Sequence, residues 1–225
     1  MSMWRVTTCP ELPSTMDWVR EQALAGAPDF TGVRAGIQTS GRGRRGRIWT
    51  SPPGNLYFSF LLRTDDELLP LKMGLALHDA LRPLVPVQIE LKWPNDVLVD
   101  GRKISGILIE REGDAAIIGI GVNIASAPDD RAALSEWNGQ VDAAGFLDLL
   151  QSSITALDPA TVIDRWNAVA AWKSLPITFQ HGGNTVFGTF VGVDEHGHAL
   201  LATAALPDDG VLERQAVEIH RGELV

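Results

Sequence analysis

The strongest chemical signal in the chain is a glycine-rich segment that holds four arginines within six residues. It runs from Gly41 to Arg47 and reads Gly-Arg-Gly-Arg-Arg-Gly-Arg. Guanidinium groups make paired hydrogen bonds to carboxylate and phosphate oxygens, and glycines let a backbone approach a ligand closely. The pattern therefore predicts a site for a small, compact anion, with a solvated basic turn as the ordinary alternative.

The same segment matches two nucleotide-binding patterns only in part. Its glycine spacing agrees with G-x-G-x-x-G, but a tryptophan and two prolines follow where a dinucleotide fold needs a helix. Gly41 and Gly46 also have the spacing of a P-loop, but Arg47-Ile48 stands where Lys-Ser/Thr is required. Neither of these two folds is predicted.

Three further motifs have a simple structural alternative when each is taken alone. Lys92-Trp-Pro-Asn-Asp96 joins a predicted strand to a turn, where Asn and Asp are ordinary turn residues. Lys103 follows the hairpin signal Asp100-Gly101, and a lysine at a hairpin tip is usually solvated. Asn123 ends the strand pattern Gly-Ile-Gly-Val-Asn, where a satisfied buried amide is the usual explanation.

Composition and charge limit the class of protein. The 225 residues are 45% hydrophobic and 21% charged, values typical of a soluble globular chain. The net charge of -9 argues against a general nucleic-acid binder. Residues 1–50 hold seven arginines and four acids (+3), whereas the rest holds 12 basic and 24 acidic residues (-12). The chain has no 18-residue apolar run, no secretory leader and only one cysteine, so we expect a cytoplasmic protein without a membrane segment.

The apolar periodicity predicts an α+β fold with a mixed, largely antiparallel sheet and helices on one side. A helix is expected from Ser14, with a capping box to Asp17, and another near Pro70. The remaining predicted helices are Phe146–Leu157 and Ala160–Trp172, and the predicted strands are Val33–Gln38, Leu56–Leu62, Val87–Trp93, Val97–Val99, Ile104–Glu110 and Ala115–Val122. From residue 175 short strands predict a small SH3-like β-barrel, which gives a catalytic domain of residues 1–174 and a C-terminal domain of 175–225.

Taken together, the motifs resemble those of biotin protein ligases. The resemblance covers about residues 10 to 125 and is carried by Ser14-Thr15, the string from Gln38 to Trp49, Lys92–Asp96, Gly101–Leu108 and Gly119–Asn123. It implies a catalytic domain similar to class II synthetases. It also implies ATP-dependent conversion of biotin to biotinyl-5'-AMP, followed by transfer to a lysine of a biotin carboxyl carrier domain.

The resemblance assigns roles to individual residues. Lys103 and Arg42 are the catalytic candidates, because cations must offset the repulsion between a carboxylate and a phosphate. Met16 stands where family members commonly have Asn, which leaves no side-chain role for position 16. The implied biotin-binding residues are Ser14, Thr15, Gln38, Gly41, Arg42, Gly43, Arg44, Lys103 and Gly106. The implied residues for ATP and the adenylate are Arg42, Arg44, Arg45, Arg47, Trp49, Asn95, Asp96, Lys103 and Asn123.

The resemblance also implies partners. Mg²⁺ is expected with ATP, with Asp96 as one candidate contact, but the sequence does not identify the metal ligands. Some family members carry an N-terminal DNA-binding domain; only thirteen residues precede Ser14 here, so no DNA binding is expected. A homodimer formed through exposed strands is compatible with the sequence, although no residue requires it.

Two alternatives remain open from the sequence. A lipoate protein ligase has a similar fold and chemistry, but the Arg-rich loop and Lys-Trp-Pro-Asn-Asp favour biotin. A non-enzymatic nucleic-acid or protein-binding module would bind RNA or DNA through the arginines and would not use ATP. We also expect the loop of residues 41–49 to be mobile without ligand, since its arginines repel one another.

Overall fold

The structure is a computed structural model and describes residues 3–181, 184–205, 213–219 and 223–224. Two sheets and four helices organise these residues. In chain order the elements are β1 (Arg5–Leu12), α1 (Thr15–Leu24), β2 (Thr31–Gln38), β3 (Leu56–Arg63), α2 (Leu69–Leu81), β4 (Ile89–Lys92), β5 (Asp96–Val99), β6 (Arg102–Glu112), β7 (Ala115–Val122), α3 (Ala143–Ala156), α4 (Val162–Ala168), β8 (Pro176–His181), β9 (Asn184–Val193), β10 (Ala199–Ala205), β11 (Glu213–Ile219) and β12 (Glu223–Leu224).

The larger sheet has seven strands in the order β1-β2-β3-β7-β6-β5-β4. β1 and β2 are parallel, and the other described neighbours in this sheet are antiparallel. The prediction of a mixed, largely antiparallel sheet is confirmed. The predicted Asp100-Gly101 turn joins β5 to β6, with both residues at the positive φ angles that a tight two-residue hairpin requires. This turn places Lys103 as the second residue of β6.

The helices lie on both faces of the large sheet, so the prediction of helices on one side is wrong. Met16 and Val19 of α1 pack with Leu61 and Ile117 on one face. α2 and α3 pack on the other face, where Phe58 and Phe60 of β3 contribute to the main core. Successive strand residues point to opposite faces, and β3 is buried along its first six residues, which is the sign of a strand covered on both sides.

The last helix is shorter than predicted. The pattern indicated a helix over Ala160–Trp172, but α4 ends at Ala168. After it the chain runs beside the edge strand β4, where Leu91 donates to the Val169 carbonyl and accepts from the Ala171 amide. Pairing with an open strand edge therefore replaces the last turns of the predicted helix.

The smaller sheet contains the C-terminal strands in the order β11-β10-β9-β8-β12. The short strands predicted after residue 175 are confirmed. The turn between β9 and β10 contacts the first sheet, since the Trp93 indole donates to the Gly197 carbonyl at 2.9 Å. Phe190 and Leu201 are buried in the same core cluster as α2 and β3, so the two sheets pack against each other.

Candidate active site

A single pocket gathers most of the predicted site residues. It lies on the α1 face of the large sheet, over β6 and β7, and the loop of residues 41–49 covers it. The space between its lining residues is about 890 Å³, a value that includes open solvent. The lining residues are Ser14, Thr15, Met16, Gln38, Arg42, Gly43, Arg44, Arg45, Arg47, Ile48, Trp49, Asn95, Asp96, Lys103, Gly106, Ile107, Leu108, Gly119, Ile120, Gly121 and Arg131.

The charge of this pocket opposes the charge of the whole chain. Among the described lining residues are six cations, namely Arg42, Arg44, Arg45, Arg47, Lys103 and Arg131, and one carboxylate, Asp96. The full chain carries a net charge of -9. Such a local excess of positive charge concentrates anions, and guanidinium groups match carboxylate and phosphate geometry. The pocket is therefore suited to a ligand with several negative charges.

One end of the pocket is a neutral hydrogen-bonding network at the start of α1. The Thr15 amide and hydroxyl both donate to Gln38 Oε1, at 2.9 and 3.0 Å. The Thr15 hydroxyl also lies 2.7 Å from the Ser59 hydroxyl, and Gln38 Nε2 donates to Ser51 at 3.2 Å. The predicted group of Ser14, Thr15 and Gln38 thus comes together, and Ser51 and Ser59 support it from adjacent segments.

The predicted capping box at this helix start does not form among the described residues. Ser14 is the N-cap residue with extended backbone, but its hydroxyl makes no capping hydrogen bond to the described backbone. The Asp17 carboxylate instead accepts from Arg42 at 2.6 and 2.8 Å and from Arg20 at 2.8 Å. Two guanidinium groups outcompete a backbone amide because charged hydrogen bonds are the stronger ones.

The arginine loop folds back on itself and is attached to both sides of the pocket. Gly43 and Trp49 donate to the carbonyls of Arg47 and Gly41, at 2.7 and 3.0 Å, which closes the loop as a narrow lobe. Arg42 reaches Asp17 on α1, and Arg44 donates to Asn95 Oδ1 at 2.8 Å. The loop therefore spans the opening between α1 and the turn before β5.

The other end of the pocket has a flat floor made by glycines. Gly106 of β6 and Gly121 of β7 face each other directly in the strand register. A Cβ atom at Gly121 would lie 2.5 Å from the Trp49 ring, and one at Gly106 would lie 3.0 Å from it. The indole rests against the backbone where any side chain would collide with it. On the same face, a Cβ atom at Gly119 would lie 2.7 Å from the Met16 sulfur.

Lys103 stands beside this floor. Its ammonium group lies 2.6 Å from Asp96 Oδ1 and 5.5 Å from the centre of the Trp49 ring. The antiparallel pairing of β5 and β6 brings these residues together across the Asp100-Gly101 turn. Asp96 thus holds the lysine in position next to the aromatic ring.

Two predicted site residues lie outside the pocket lining. Asn123 is buried, and its side-chain amide donates to the Ala132 carbonyl at 3.1 Å. This bond holds the segment around Ala132 against the end of β7. Gly41 is the first residue of the loop, and a Cβ atom there would lie 2.4 Å from the Trp49 carbonyl oxygen. Its contribution is the close approach of the two loop ends. The binding roles of all the predicted residues, Asn123 and Gly41 included, stay predictions.

Several lining residues were missed by the sequence reasoning. The alternation of Gly119 and Gly121 along one strand was the signal for the floor, because both glycines face the same side. Met16 received no role, yet it is buried against Gly119 and lines the pocket. Arg131 belongs to an irregular segment and had no motif that could identify it.

Replacing Asp17 by asparagine is expected to loosen the empty loop. Hydrogen bonding from Arg42 lowers the pKa of Asp17 below its ordinary value, with Arg20 as a further cause and burial opposing both. A lowered pKa means that the stabilisation is present above the ordinary Asp pKa of about 3.9 and is lost as pH falls through the folded-state value. The attachment should therefore be constant between about pH 5 and 8 in the wild type.

The measurement for this prediction is amide hydrogen exchange of residues 41–49 at neutral pH. Asp17→Asn should speed exchange by about two- to fivefold, the scale of a partly exposed ion pair. Asp29→Asn is the matched control, because Asp29 pairs with Arg63 at 3.0 Å in another part of the chain. Equal loop exchange in the two variants would contradict the attachment.

Within the described residues, no group of three His, Cys, Asp or Glu side chains is arranged to hold a metal ion. A search of the same residues for a helix long and apolar enough to cross a membrane found none.

Known proteins resemble this chain in sequence. The family model of the biotin/lipoate A/B protein ligase family matches residues 10–123. A biotin–[acetyl-CoA-carboxylase] ligase of Paracoccus denitrificans is 36% identical over 217 residues, covering 82% of this chain and 90% of that protein. The pocket lies almost entirely within the matched range.

Solved structures extend the similarity to nearly the whole chain. The biotin protein ligase of Aquifex aeolicus in complex with biotin and ATP matches with a TM-score of 0.81 at 30% identity, covering 98% of this chain and 97% of that one. The Leishmania major enzyme in complex with biotinyl-5-AMP matches with a TM-score of 0.69 at 30% identity, covering 95% and 99%. The family model, the Paracoccus relative and these similar folds together show that this chain belongs to the biotin/lipoate A/B protein ligase family.

Proposed function

We propose that this protein is a biotin–[acetyl-CoA-carboxylase] ligase, which activates biotin with ATP and transfers it to a lysine of a biotin carboxyl carrier domain. The observation that carries the proposal is the composition of the pocket. A neutral network of Thr15, Gln38 and Ser59 at one end continues into a group of six cations beside an aromatic ring at the other. Biotin has a neutral ring and a carboxylate tail, and ATP is a nucleoside triphosphate. Bound next to each other, they present the matching order of a neutral end, negatively charged groups and an aromatic base.

In the first step an oxygen of the biotin carboxylate attacks the α-phosphorus of ATP. The bond between that phosphorus and the bridging oxygen breaks, and pyrophosphate leaves with the electron pair. Two unit charges about 4 Å apart repel by about 4 kcal/mol at an effective dielectric constant near 20. Lys103 and Arg42 are the groups proposed to offset this repulsion, with Arg44 beside them and Arg45 and Arg47 on the outer phosphates.

In the second step the amine of the carrier lysine attacks the carbonyl carbon of the adenylate. The bond from this carbon to the phosphate oxygen breaks, AMP leaves, and the amine loses a proton as the amide forms. The adenylate is a mixed anhydride that water hydrolyses, so it must stay covered until the carrier arrives. Gly43 and the rest of the arginine loop span the opening and are proposed to provide this cover.

The two ends of the pocket are proposed to bind different substrates. Ser14, Thr15 and Gln38 are proposed to bind the ureido ring, with Met16 and Leu108 as apolar lining. Trp49 is proposed to stack on the adenine over the Gly106–Gly121 floor, with Asn95 at its edge. Stacking on a rigid aromatic ring supplies affinity without long flexible side chains.

Mg²⁺ is proposed to arrive with ATP. Asp96 is the one carboxylate among the described lining residues, and its partner in the structure is Lys103. Mg²⁺ commonly uses one or two protein carboxylates together with substrate phosphates and water, and this donor set fits that mode. Asp96 would hold the ion, which would neutralise phosphate charge, while Lys103 remains beside the reacting carboxylate.

The proposal also covers the domain organisation, the location and the oligomeric state of the protein. We propose that residues 1–174 form a catalytic domain similar to class II synthetases and that 175–225 form an SH3-like domain. A single cysteine and an ATP-dependent reaction fit a cytoplasmic location. A homodimer that forms through exposed strands at the sheet edges is compatible with this proposal.

The test is to incubate the purified protein with biotin, Mg-ATP and a biotin carboxyl carrier domain and to measure the intact mass of the carrier. The expected result is the gain of one biotinyl group, dependent on ATP and abolished when the carrier lysine is replaced. A parallel arm with lipoate distinguishes the related activity: modification by lipoate but not biotin would contradict the proposed substrate. No modification by either acid would contradict the proposed ligase activity.

A further inference from the structure

Arg131 brings a cation to the pocket from a segment that lies outside the sequence motifs. This residue follows β7 in an irregular stretch, and its side chain lines the pocket. Its guanidinium carbon lies 5.7 Å from the centre of the Trp49 ring. This distance is within the range of about 6 Å at which a cation is attracted to an aromatic ring.

The backbone around Arg131 is fastened to the floor strands. The Ala132 amide donates to the Lys103 carbonyl at 3.0 Å, and the Arg102 guanidinium donates to the Arg131 carbonyl at 3.1 Å. Asn123 at the end of β7 donates to the Ala132 carbonyl at 3.1 Å. Arg131 and Lys103 are therefore held side by side, and both side chains reach the same indole.

The contacts of the Arg131 side chain within the protein favour a role toward the ring. Its Nε lies 3.8 Å from Asp130, whose side chain is 82% exposed, and pairs of this kind contribute little. The neighbouring Arg102, by contrast, is held by Glu136 on the outside of the segment. The two arginines are neighbours, but Arg102 pairs with Glu136 whereas Arg131 lies near the Trp49 ring.

The Trp49 ring has rigid backbone on one part of its surface and cations on another. Gly121 and Gly106 leave no room for the ring to sink into the floor. Lys103 and Arg131 lie 5.5 and 5.7 Å from its centre. Among described residues, the Trp49 Nε1 atom is buried and has no hydrogen-bond partner, so polar contacts of the indole do not fix its orientation.

We propose that Arg131 is a positioning residue for Trp49 and that it strengthens ATP binding through this ring. The inference rests on the proposed function, in which Trp49 stacks on the adenine. Arg131 acts on the nucleotide half of the pocket, so it should affect the affinity for ATP and leave the affinity for biotin unchanged.

The test measures ATP and biotin affinities separately by calorimetry, which requires no turnover. Arg131→Ala should weaken ATP binding by about five- to tenfold and leave biotin binding within twofold of wild type. Arg131→Lys should recover most of the loss, because it keeps the positive charge. Arg82→Ala is the matched control, since Arg82 is the exposed residue that follows α2, outside the pocket lining, and its loss changes only the net charge. Equal ATP affinity in Arg131→Ala and wild type would overturn the inference.

A double-mutant comparison distinguishes action through the ring from direct contact with ATP. In a Trp49→Leu background, Arg131→Ala should cause little further loss of ATP affinity. The same five- to tenfold loss in that background would overturn the positioning role. A wild-type protein that binds ATP but forms no biotinyl-AMP would contradict the proposed function while leaving the Arg131 effect measurable. A wild-type protein that does not bind ATP would overturn both.

Discussion

Lys103→Ala is expected to lower the rate of biotinyl-adenylate formation by about 100- to 1,000-fold, the usual cost of removing one group that stabilises developing charge. The lysine ammonium lies 2.6 Å from Asp96 and beside the Trp49 ring, within the lining of the pocket. Removing it leaves the carboxylate of biotin facing the phosphates with less positive charge between them. It also leaves Asp96 without its ion-pair partner.

The measurement is pyrophosphate release in the absence of carrier, together with thermal unfolding. The melting temperature should change little, because Lys103 is a partly exposed residue at the start of β6 and lies outside the core. Lys173→Ala is the control, since Lys173 is exposed and donates to the Asn167 carbonyl away from the pocket. A Lys103→Ala protein with unchanged pyrophosphate release would remove the main catalytic assignment.

Gly121→Ala is expected to weaken ATP binding by about tenfold to a hundredfold, the range that follows from losing one base–aromatic stack. The added Cβ atom would lie 2.5 to 2.7 Å from three atoms of the Trp49 indole, so the ring must leave the floor. Gly121 lies within a regular strand that is hydrogen-bonded to a strand on each side, which prevents the backbone from moving away.

Two other glycines serve as comparisons for this variant. Gly139→Ala should be neutral, because a Cβ atom there would meet nothing within 4 Å among the described residues. Gly119→Ala should leave ATP binding unchanged and affect only biotin, since its Cβ atom would meet the flexible end of Met16. Equal ATP affinities in Gly121→Ala and Gly139→Ala would show that the floor does not position the nucleotide.

The sheet could be predicted from the sequence because its strands carry strong local signals. Leu56–Leu62 is strongly apolar, with Ser59 as its one polar residue, and Asp100-Gly101 specifies the hairpin that brings Asp96 and Lys103 together. The position of α1 on the opposite face from α2 was not predicted. That arrangement depends on which face of β3 each helix covers. Both faces of β3 carry apolar residues, so the sequence lacks the apolar–polar alternation that would distinguish them.

The site could be predicted where function requires unusual residue types at close spacing. Arginines among glycines and a Ser-Thr pair before a helix meet that condition, and the pocket contains both. The site residues that the sequence does not predict owe their role to contacts with residues far away along the chain. Gly121 matters because Trp49, 72 positions earlier, lies on it, and Arg131 matters because hydrogen bonds tie its segment to Lys103. The sequence predicts that Asp17 caps the helix start, but its carboxylate pairs with Arg42, which is 25 residues away along the chain.

A crystal structure of the protein with biotin and a non-hydrolysable ATP analogue tests the central claim most directly. We expect the biotin carboxylate within about 4 Å of the Lys103 ammonium or of an arginine of the loop, the usual limit of an ion pair. The ureido ring should lie at Thr15 and Gln38, and the adenine against Trp49. Biotin bound away from both Lys103 and the arginine loop would contradict the account.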